Sequence, residues 1–375
     1  MLFLVGLLAL NLIEPPRVLD AWEIKPDGNA REVHRRAAEP PLEHGMAGLI
    51  GMWARWDGGW YLSIANDGYQ FTPGKQSNIN FFPLYPMLVK GLATITCTET
   101  RMGLVVCGIV VSNVALLVGL ALLSALVRMD MDGEVAQRTV LYMLVFSGSY
   151  YLSCVYSEAL FFALAVGAFY CARHKRWWLA GLLAGAASGT RWAGLMLGPA
   201  LAWEYLAQRE FRWRQVRADV LALGLVPSGA VAYFGFLQWK FGDWAAFFKS
   251  QAIHERKLTM PWVTWIEFFR VPLVVHGGDH SMLDLAFALF FILMMFLCWT
   301  RVRGSYSVFV TASVFSCVIS GKIDAMLRYG TVLFPAFIVL GLMGKAPLFH
   351  RCWVPFNTGF CALLFAMFAL WYWVA

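Results

Sequence analysis

Residues 102–127 read Met-Gly-Leu-Val-Val-Cys-Gly-Ile-Val-Val-Ser-Asn-Val-Ala-Leu-Leu-Val-Gly-Leu-Ala-Leu-Leu-Ser-Ala-Leu-Val, with no charged side chain in the run. A helix needs about 20 apolar residues to cross a hydrocarbon core of about 30 Å, so this stretch is long enough. The period-two alternation of a barrel strand is absent, which leaves the helix. Further apolar runs fall at 139–154, 157–172, 177–190, 191–207, 218–239, 281–300, 305–320, 328–343 and 352–374. Residues 1–13 are apolar with no basic residue before them and read as a short or truncated first span. The sequence therefore predicts an all-α polytopic membrane protein of about eleven transmembrane helices, forming one domain over residues 1–375.

Composition supports lipid as the solvent. Of 375 residues, 59% are hydrophobic and 14% charged, against about 25% charged in soluble domains. A single soluble core stops growing near roughly 250–300 residues and could not hide this much apolar surface. A cytosolic globular enzyme, a disordered chain and a disulfide-stapled module are thereby excluded. The net charge of +7 needs no nucleic acid, because cytoplasmic loops collect Lys and Arg and anionic headgroups attract them. Cys107, Cys171, Cys298, Cys317 and Cys361 lie in apolar runs, and no C-x-x-C or Cys/His ligand spacing occurs. Cys97 and Cys154 could share one membrane face, with simple packing favoured over a bridge.

Basic residues orient the bundle. One set of short connections holds Arg128, Arg138, Arg173, Lys175, Arg176, Arg209, Arg212, Arg214, Arg217, Arg301, Arg303, Lys345 and Arg351. The alternate connections hold Arg101, Arg191, Lys322 and Arg328. The positive-inside rule makes the first set cytoplasmic. The two long connections, residues 14–101 and 240–280, then lie outside, provided residues 81–96 form an interfacial helix and do not cross. The runs at 157–172 and 177–190 are short, so their outer ends should stop below the membrane surface and line a recess with polar residues. Gly181, Gly185 and Gly189 form a small-x-x-x-small ridge for close helix packing.

Glu158, Arg191, Asp219, Asp284 and Arg328 all fall at helix ends, and mid-span charges are almost absent. Proton-coupled transport needs buried mid-membrane carboxylates, so the chemistry belongs at one rim. Arg55-Trp56-Asp57, Tyr156-Ser157-Glu158, Thr190-Arg191 and Arg328-Tyr329 map to the same outer face. Asp57 stands among aromatic residues and precedes two glycines. It can act as general base toward an acceptor hydroxyl or cap a turn in a Trp-rich loop. Arg191 and Arg328 can fork onto a phosphate or snorkel at helix ends. Glu158 can be a second acid/base or the ion partner of one of these arginines, and the partner role is favoured. His276-Gly-Gly-Asp279-His280 resembles metal spacing but reads as loop decoration, and no phosphate loop, H-E-x-x-H or nucleophile elbow occurs.

At these residues the sequence resembles the PIG-V-type mannosyltransferases, multi-span glycosyltransferases of the GT-C fold. The matching stretches are Arg55-Trp-Asp-Gly-Gly-Trp-Tyr-Leu, Ala65-Asn-Asp-Gly-Tyr69, Asn80-Phe-Phe-Pro-Leu-Tyr-Pro86 and Tyr156-Ser-Glu-Ala-Leu-Phe161. Ser188-Gly-Thr-Arg-Trp-Ala-Gly194, Phe241-Gly-Asp-Trp with Gln251 and Pro261-Trp262, and Arg328-Tyr-Gly-Thr-Val-Leu-Phe-Pro335 follow in order. The resemblance implies a polyprenyl-phosphate mannose donor, an acceptor hydroxyl on a glycolipid or lipid-linked glycan, inversion at the sugar carbon, and no metal or other cofactor. It makes Asp57 the base and gives Arg191 and Arg328 to the donor phosphate. Arg55, Trp56, Tyr61, Tyr156, Glu158, Gln251 and Tyr329 are then expected to position substrate. The length of 375 residues and the lack of an ER retrieval tail suggest a prokaryotic relative in the bacterial inner membrane, its site extracytoplasmic. Some members of this fold need a partner subunit, and the sequence leaves that open here. Another sugar on a polyprenyl phosphate, or a lipid-linked-sugar flippase, are the alternatives.

Overall fold

The computed structural model describes residues 1–12, 45–98, 100–253, 256–270, 273 and 281–374. In order, the helices are α1 (Leu2–Leu12), α2 (Gly45–Gly51), α3 (Gly58–Asp67), α4 (Leu84–Ile95), α5 (Arg101–Val127) and α6 (Gly133–Val145). They continue as α7 (Glu158–Arg173), α8 (Trp177–Ser188), α9 (Leu197–Ala207), α10 (Ser228–Phe241), α11 (Ala246–Ile253) and α12 (Pro261–Arg270). The last five are α13 (Met282–Arg301), α14 (Gly304–Val318), α15 (Met326–Thr331), α16 (Phe334–Met343) and α17 (Pro347–Ala369). No β-strand occurs among the described residues. The expected all-α class holds.

The expected eleven spans are not matched one for one. Among the described residues, α5, α13 and α17 are long and apolar enough to cross a membrane, and the 3₁₀ segment Ala218–Leu225 with α10 adds a pair bent by 45°. Several apolar runs are interrupted. The 139–154 run leaves the α-helix at Val145 and ends in the 3₁₀ turn Ser149–Leu152. The 328–343 run divides into α15 and α16, and 191–207 opens as the 3₁₀ turn Trp192–Met196. Two of these breaks pack on each other: a Cβ at Gly148 would press on Leu327 and on Thr331 Oγ1. Hydropathy does not register such breaks, although Pro335 in the first turn of α16 marks the second one.

Outward faces of the long helices are apolar, with Val114 and Leu117 on α5, Leu293 and Phe296 on α13, and Phe356 and Leu363 on α17 exposed. Such faces suit lipid. The core gathers around α7, which buries Phe161, Phe162, Ala165, Val166, Ala168 and Phe169 between α5 and α8. The glycine ridge of α8 does what its spacing predicts. A Cβ at Gly181 would overlap the Ala222 carbonyl, and one at Gly185 would overlap the Leu225 carbonyl and Ser228 Oγ. Backbone-to-backbone approach of this kind requires the missing side chains. Inside the first long connection, α4 spans 12 residues, about 18 Å at 1.5 Å per residue, too short to cross.

The basic connections meet at one end. Arg173, closing α7, bonds Asp130 at 2.5 and 2.7 Å. Arg303 reaches buried Glu204 at 3.0 Å, which also accepts the Ser305 hydroxyl at 2.6 Å. Arg209 pairs with Asp219 at 3.1 Å and Lys345 with Asp132 at 2.9 Å. The other end of α7 begins with Glu158, and the helix between them is 16 residues long, or about 24 Å. All eight cysteines are unbridged, Cys97 exposed and Cys154 buried. His276, Asp279 and His280 lie outside the described residues.

Candidate active site

The approach to Asp57 is built on strain and aromatic packing. Trp56 has φ of +54°, a conformation costly for a bulky residue and sustained only by its surroundings. Its ring is held edge-on by Trp371 and Trp373 at 5.7 and 5.0 Å. Buried Arg55 donates through Nε to the Ala369 carbonyl at 3.2 Å and lies 4.7 Å over the Trp371 ring. Arg55 and Trp56, expected to position substrate, are thus committed to the C-terminal segment.

This turn delivers Asp57 to the N-cap position of α3 without a capping bond from its side chain. The capping alternative is therefore not the geometry adopted. The carboxylate instead accepts from Arg328 Nη1 at 2.5 Å. The Asp57 N–H donates to Tyr156 Oη at 3.1 Å, and that hydroxyl donates to the Arg55 carbonyl at 3.1 Å. The Asp57 side chain remains 21% exposed. It is tethered and still open to solvent.

Glu158 is the first residue of α7 and is fully buried. A helix N-terminus favours an anion, but burial of one carboxylate costs several kcal/mol unless it is paired. It is paired twice, with Arg328 Nε at 2.9 Å and with Arg191. Arg191 follows the end of α8, where Gly194 packs directly on the backbone of Ala187 and Ser188. That tight reversal turns Arg191 back over the start of α7.

Arg328 and Tyr329 ride on the short α15. Its approach is also strained, with Ala325 at φ +61°. Buried Asp284 stands at the start of α13, the helix that packs on α15. Gly330 abuts the Phe291 ring so closely that a Cβ would overlap it. The Tyr329 ring receives the guanidinium carbons of Arg191 and Arg328 at 5.3 Å each. Arg328 lies 5.3 Å from the Tyr156 ring as well.

Asp57, Tyr156, Glu158, Arg191, Arg328 and Tyr329 therefore form one cluster although they come from four separated segments. Tyr61 sits behind it, its hydroxyl 2.7 Å from Ser157 Oγ. Gln251 is farther out on α11, and its carbonyl accepts the Arg256 N–H at 3.2 Å. Arg256 itself, paired with Asp324 at 2.7 Å, reaches the same cluster and was not anticipated; a lone loop arginine gives no signal of its own. Among the described residues, no three His, Cys, Asp or Glu side chains gather as a metal-holding group.

The fold and site thus define an all-helical bundle with apolar flanks and a carboxylate–guanidinium cluster at one end. Residues 32–208 match the family described as mannosyltransferase (PIG-V). It is 30% identical over 202 residues to the mouse GPI alpha-1,6-mannosyltransferase 2, an alignment covering 50% of this chain and 36% of that protein. Two structures of the Archaeoglobus fulgidus oligosaccharyltransferase are also similar. The form with zinc and sulfate is 11% identical with a TM-score of 0.43, covering 87% of this chain and 49% of that one. The apo form is 13% identical with a TM-score of 0.42, covering 98% and 54%.

Proposed function

We propose that this protein transfers a sugar, mannose by its family, from a polyprenyl-phosphate donor to a hydroxyl of a glycolipid or lipid-linked glycan. The observation that carries the reading is the bridge of Arg328 between Asp57 and Glu158, with Arg191 on the other side of Glu158. A carboxylate that is partly open can take a proton, and two guanidiniums beside it can hold a lipid phosphate. The sugar's bond to the phosphate oxygen breaks, its electron pair staying on the phosphate. The acceptor oxygen attacks the same carbon from the opposite face, inverting it, and its proton passes to Asp57. A phosphate leaves as an anion without a general acid, so stabilising that charge is the main demand.

The separation of the site from the end where the basic connections meet supports an extracytoplasmic site, in the inner membrane if the host is bacterial. Two measurements test the reading. Membranes containing the protein should transfer label from polyprenyl-phosphate mannose, with other polyprenyl-phosphate sugars as the comparison. A cysteine placed at exposed Asn66, in the first long connection, should react with an impermeant reagent from outside, and one at exposed Arg212 should not. Movement of labelled lipid across the bilayer without covalent transfer would make the protein a transporter instead.

A further inference from the structure

The connection after α11 brings a third guanidinium to the cluster. Arg256 Nη2 donates to Asp324 Oδ1 at 2.7 Å and Nη1 to Ser320 Oγ at 3.3 Å. Its Cζ lies 5.9 Å from the centroid of the Tyr329 ring, so all three arginines surround one aromatic side chain. The strand of chain that carries it is strapped down: Lys257 N–H donates to the Ser320 carbonyl at 3.0 Å, and Thr259 N–H to the Ile319 carbonyl at 2.9 Å. Arg256 is therefore held at the rim by backbone bonds that do not depend on its own charge.

The partners of the three arginines differ. Glu158 is sealed, with no exposure, and is a permanent counter-charge for Arg191 and Arg328. Asp57 and Asp324 are 21% and 16% exposed, and each offers one oxygen to its arginine. A guanidinium carries five donors in a fork that suits phosphate bidentately. An incoming phosphate can therefore displace or share an open, singly bonded aspartate far more readily than the sealed glutamate.

We propose that Arg256 is a third ligand of the donor phosphate, held on Asp324 and turned onto the phosphate when the donor binds. This rests on the transferase reading above. Its contribution grows as the reaction proceeds, because the phosphodiester carries one negative charge and the departing monoester up to two. Asp324 acts as a positioning residue that keeps the guanidinium extended beside Tyr329.

The test uses the full-length protein in lipid nanodiscs and farnesyl phosphate as probe, with farnesol as the uncharged control. Arg256→Gln should weaken farnesyl phosphate binding about tenfold, the loss of one charge-assisted contact, and leave farnesol binding unchanged. Arg256→Lys should lie between. Asp324→Asn should bind farnesyl phosphate as tightly as wild type or more tightly, since it releases the guanidinium. If Arg256–Asp324 were only a structural staple, both single variants would lose affinity together, and that result overturns the assignment. Unchanged affinity in Arg256→Gln overturns it too, while leaving the transferase reading intact. Failure of the wild-type protein to bind farnesyl phosphate removes both.

Discussion

The carboxylate of Asp57 is bound to the guanidinium of Arg328 at 2.5 Å, across 271 residues of chain. Through its Nε the same guanidinium also holds Glu158 at 2.9 Å. One cation thus serves an open acid and a sealed one. The open acid stays engaged by Arg328 until that guanidinium is drawn elsewhere. A donor phosphate is the group able to draw it.

Asp57→Asn keeps the shape and removes the base. Turnover from labelled polyprenyl-phosphate mannose should fall by about 10²–10⁴, the range of general-base catalysis, with KM for the donor changed much less. Size-exclusion profiles of the purified variant should match wild type, because the Asp57 side chain makes no helix-capping bond. Retained turnover would move the base to another residue.

Glu158→Gln should act differently, on stability first. It leaves Arg191 and Arg328 facing each other over a neutral amide, with the counter-charge at the start of α7 gone. Breaking a buried pair from one side costs about 3–5 kcal/mol, so the thermal midpoint of the purified protein should drop clearly. A midpoint equal to wild type would show that Glu158 is dispensable to the fold.

Much of this site was legible in the sequence. Asp57, Glu158, Arg191 and Arg328 sit at the ends of apolar runs, and charges excluded from a membrane interior have only two rims available. The positive-inside bias then separated the rims, and the ion pairs Arg173–Asp130, Arg303–Glu204 and Lys345–Asp132 gather the basic connections at the other end. What stayed hidden depends on tertiary contact. The break around Gly148 has the same hydropathy as continuous helix, and only Thr331 and Leu327 pressed against that glycine reveal it; the break after Gly330 did carry a signal, Pro335 in the first turn of α16. The commitment of Arg55 to Ala369 and Trp371 was equally invisible, since a loop arginine beside an acid reads as a ligand.

Close helix approach gives a stability prediction with its own control. Gly185→Ala puts a methyl against the Leu225 carbonyl and Ser228 Oγ at 2.6 and 2.5 Å, so α8 must move away from its neighbour. Overpacking of this kind costs about 1–3 kcal/mol. Gly359, inside α17, has nothing within 4 Å of an added Cβ, and alanine there should be neutral or stabilising by up to about 1 kcal/mol through helix propensity. Thermal melts of the two variants in one detergent should shift in opposite directions or differ by the full cost of the clash.

Arg328→Lys tests whether the bond to Asp57 restrains the base. A lysine offers a compact point charge and cannot bridge Asp57 and Glu158 through separate nitrogens as Nη1 and Nε do. Glu158, sealed and already drawing on Arg191, should keep the ammonium, leaving Asp57 unrestrained. Two effects then follow together. Donor KM should rise about tenfold, because one forked phosphate contact is lost. Water should also compete better with the acceptor, because Asp57 can now take its proton before the acceptor is seated. The ratio of released sugar to transferred sugar, measured from the same labelled donor, should therefore rise at least severalfold over wild type. A higher KM with an unchanged ratio would leave Arg328 as a phosphate ligand and end its role as the restraint on the base.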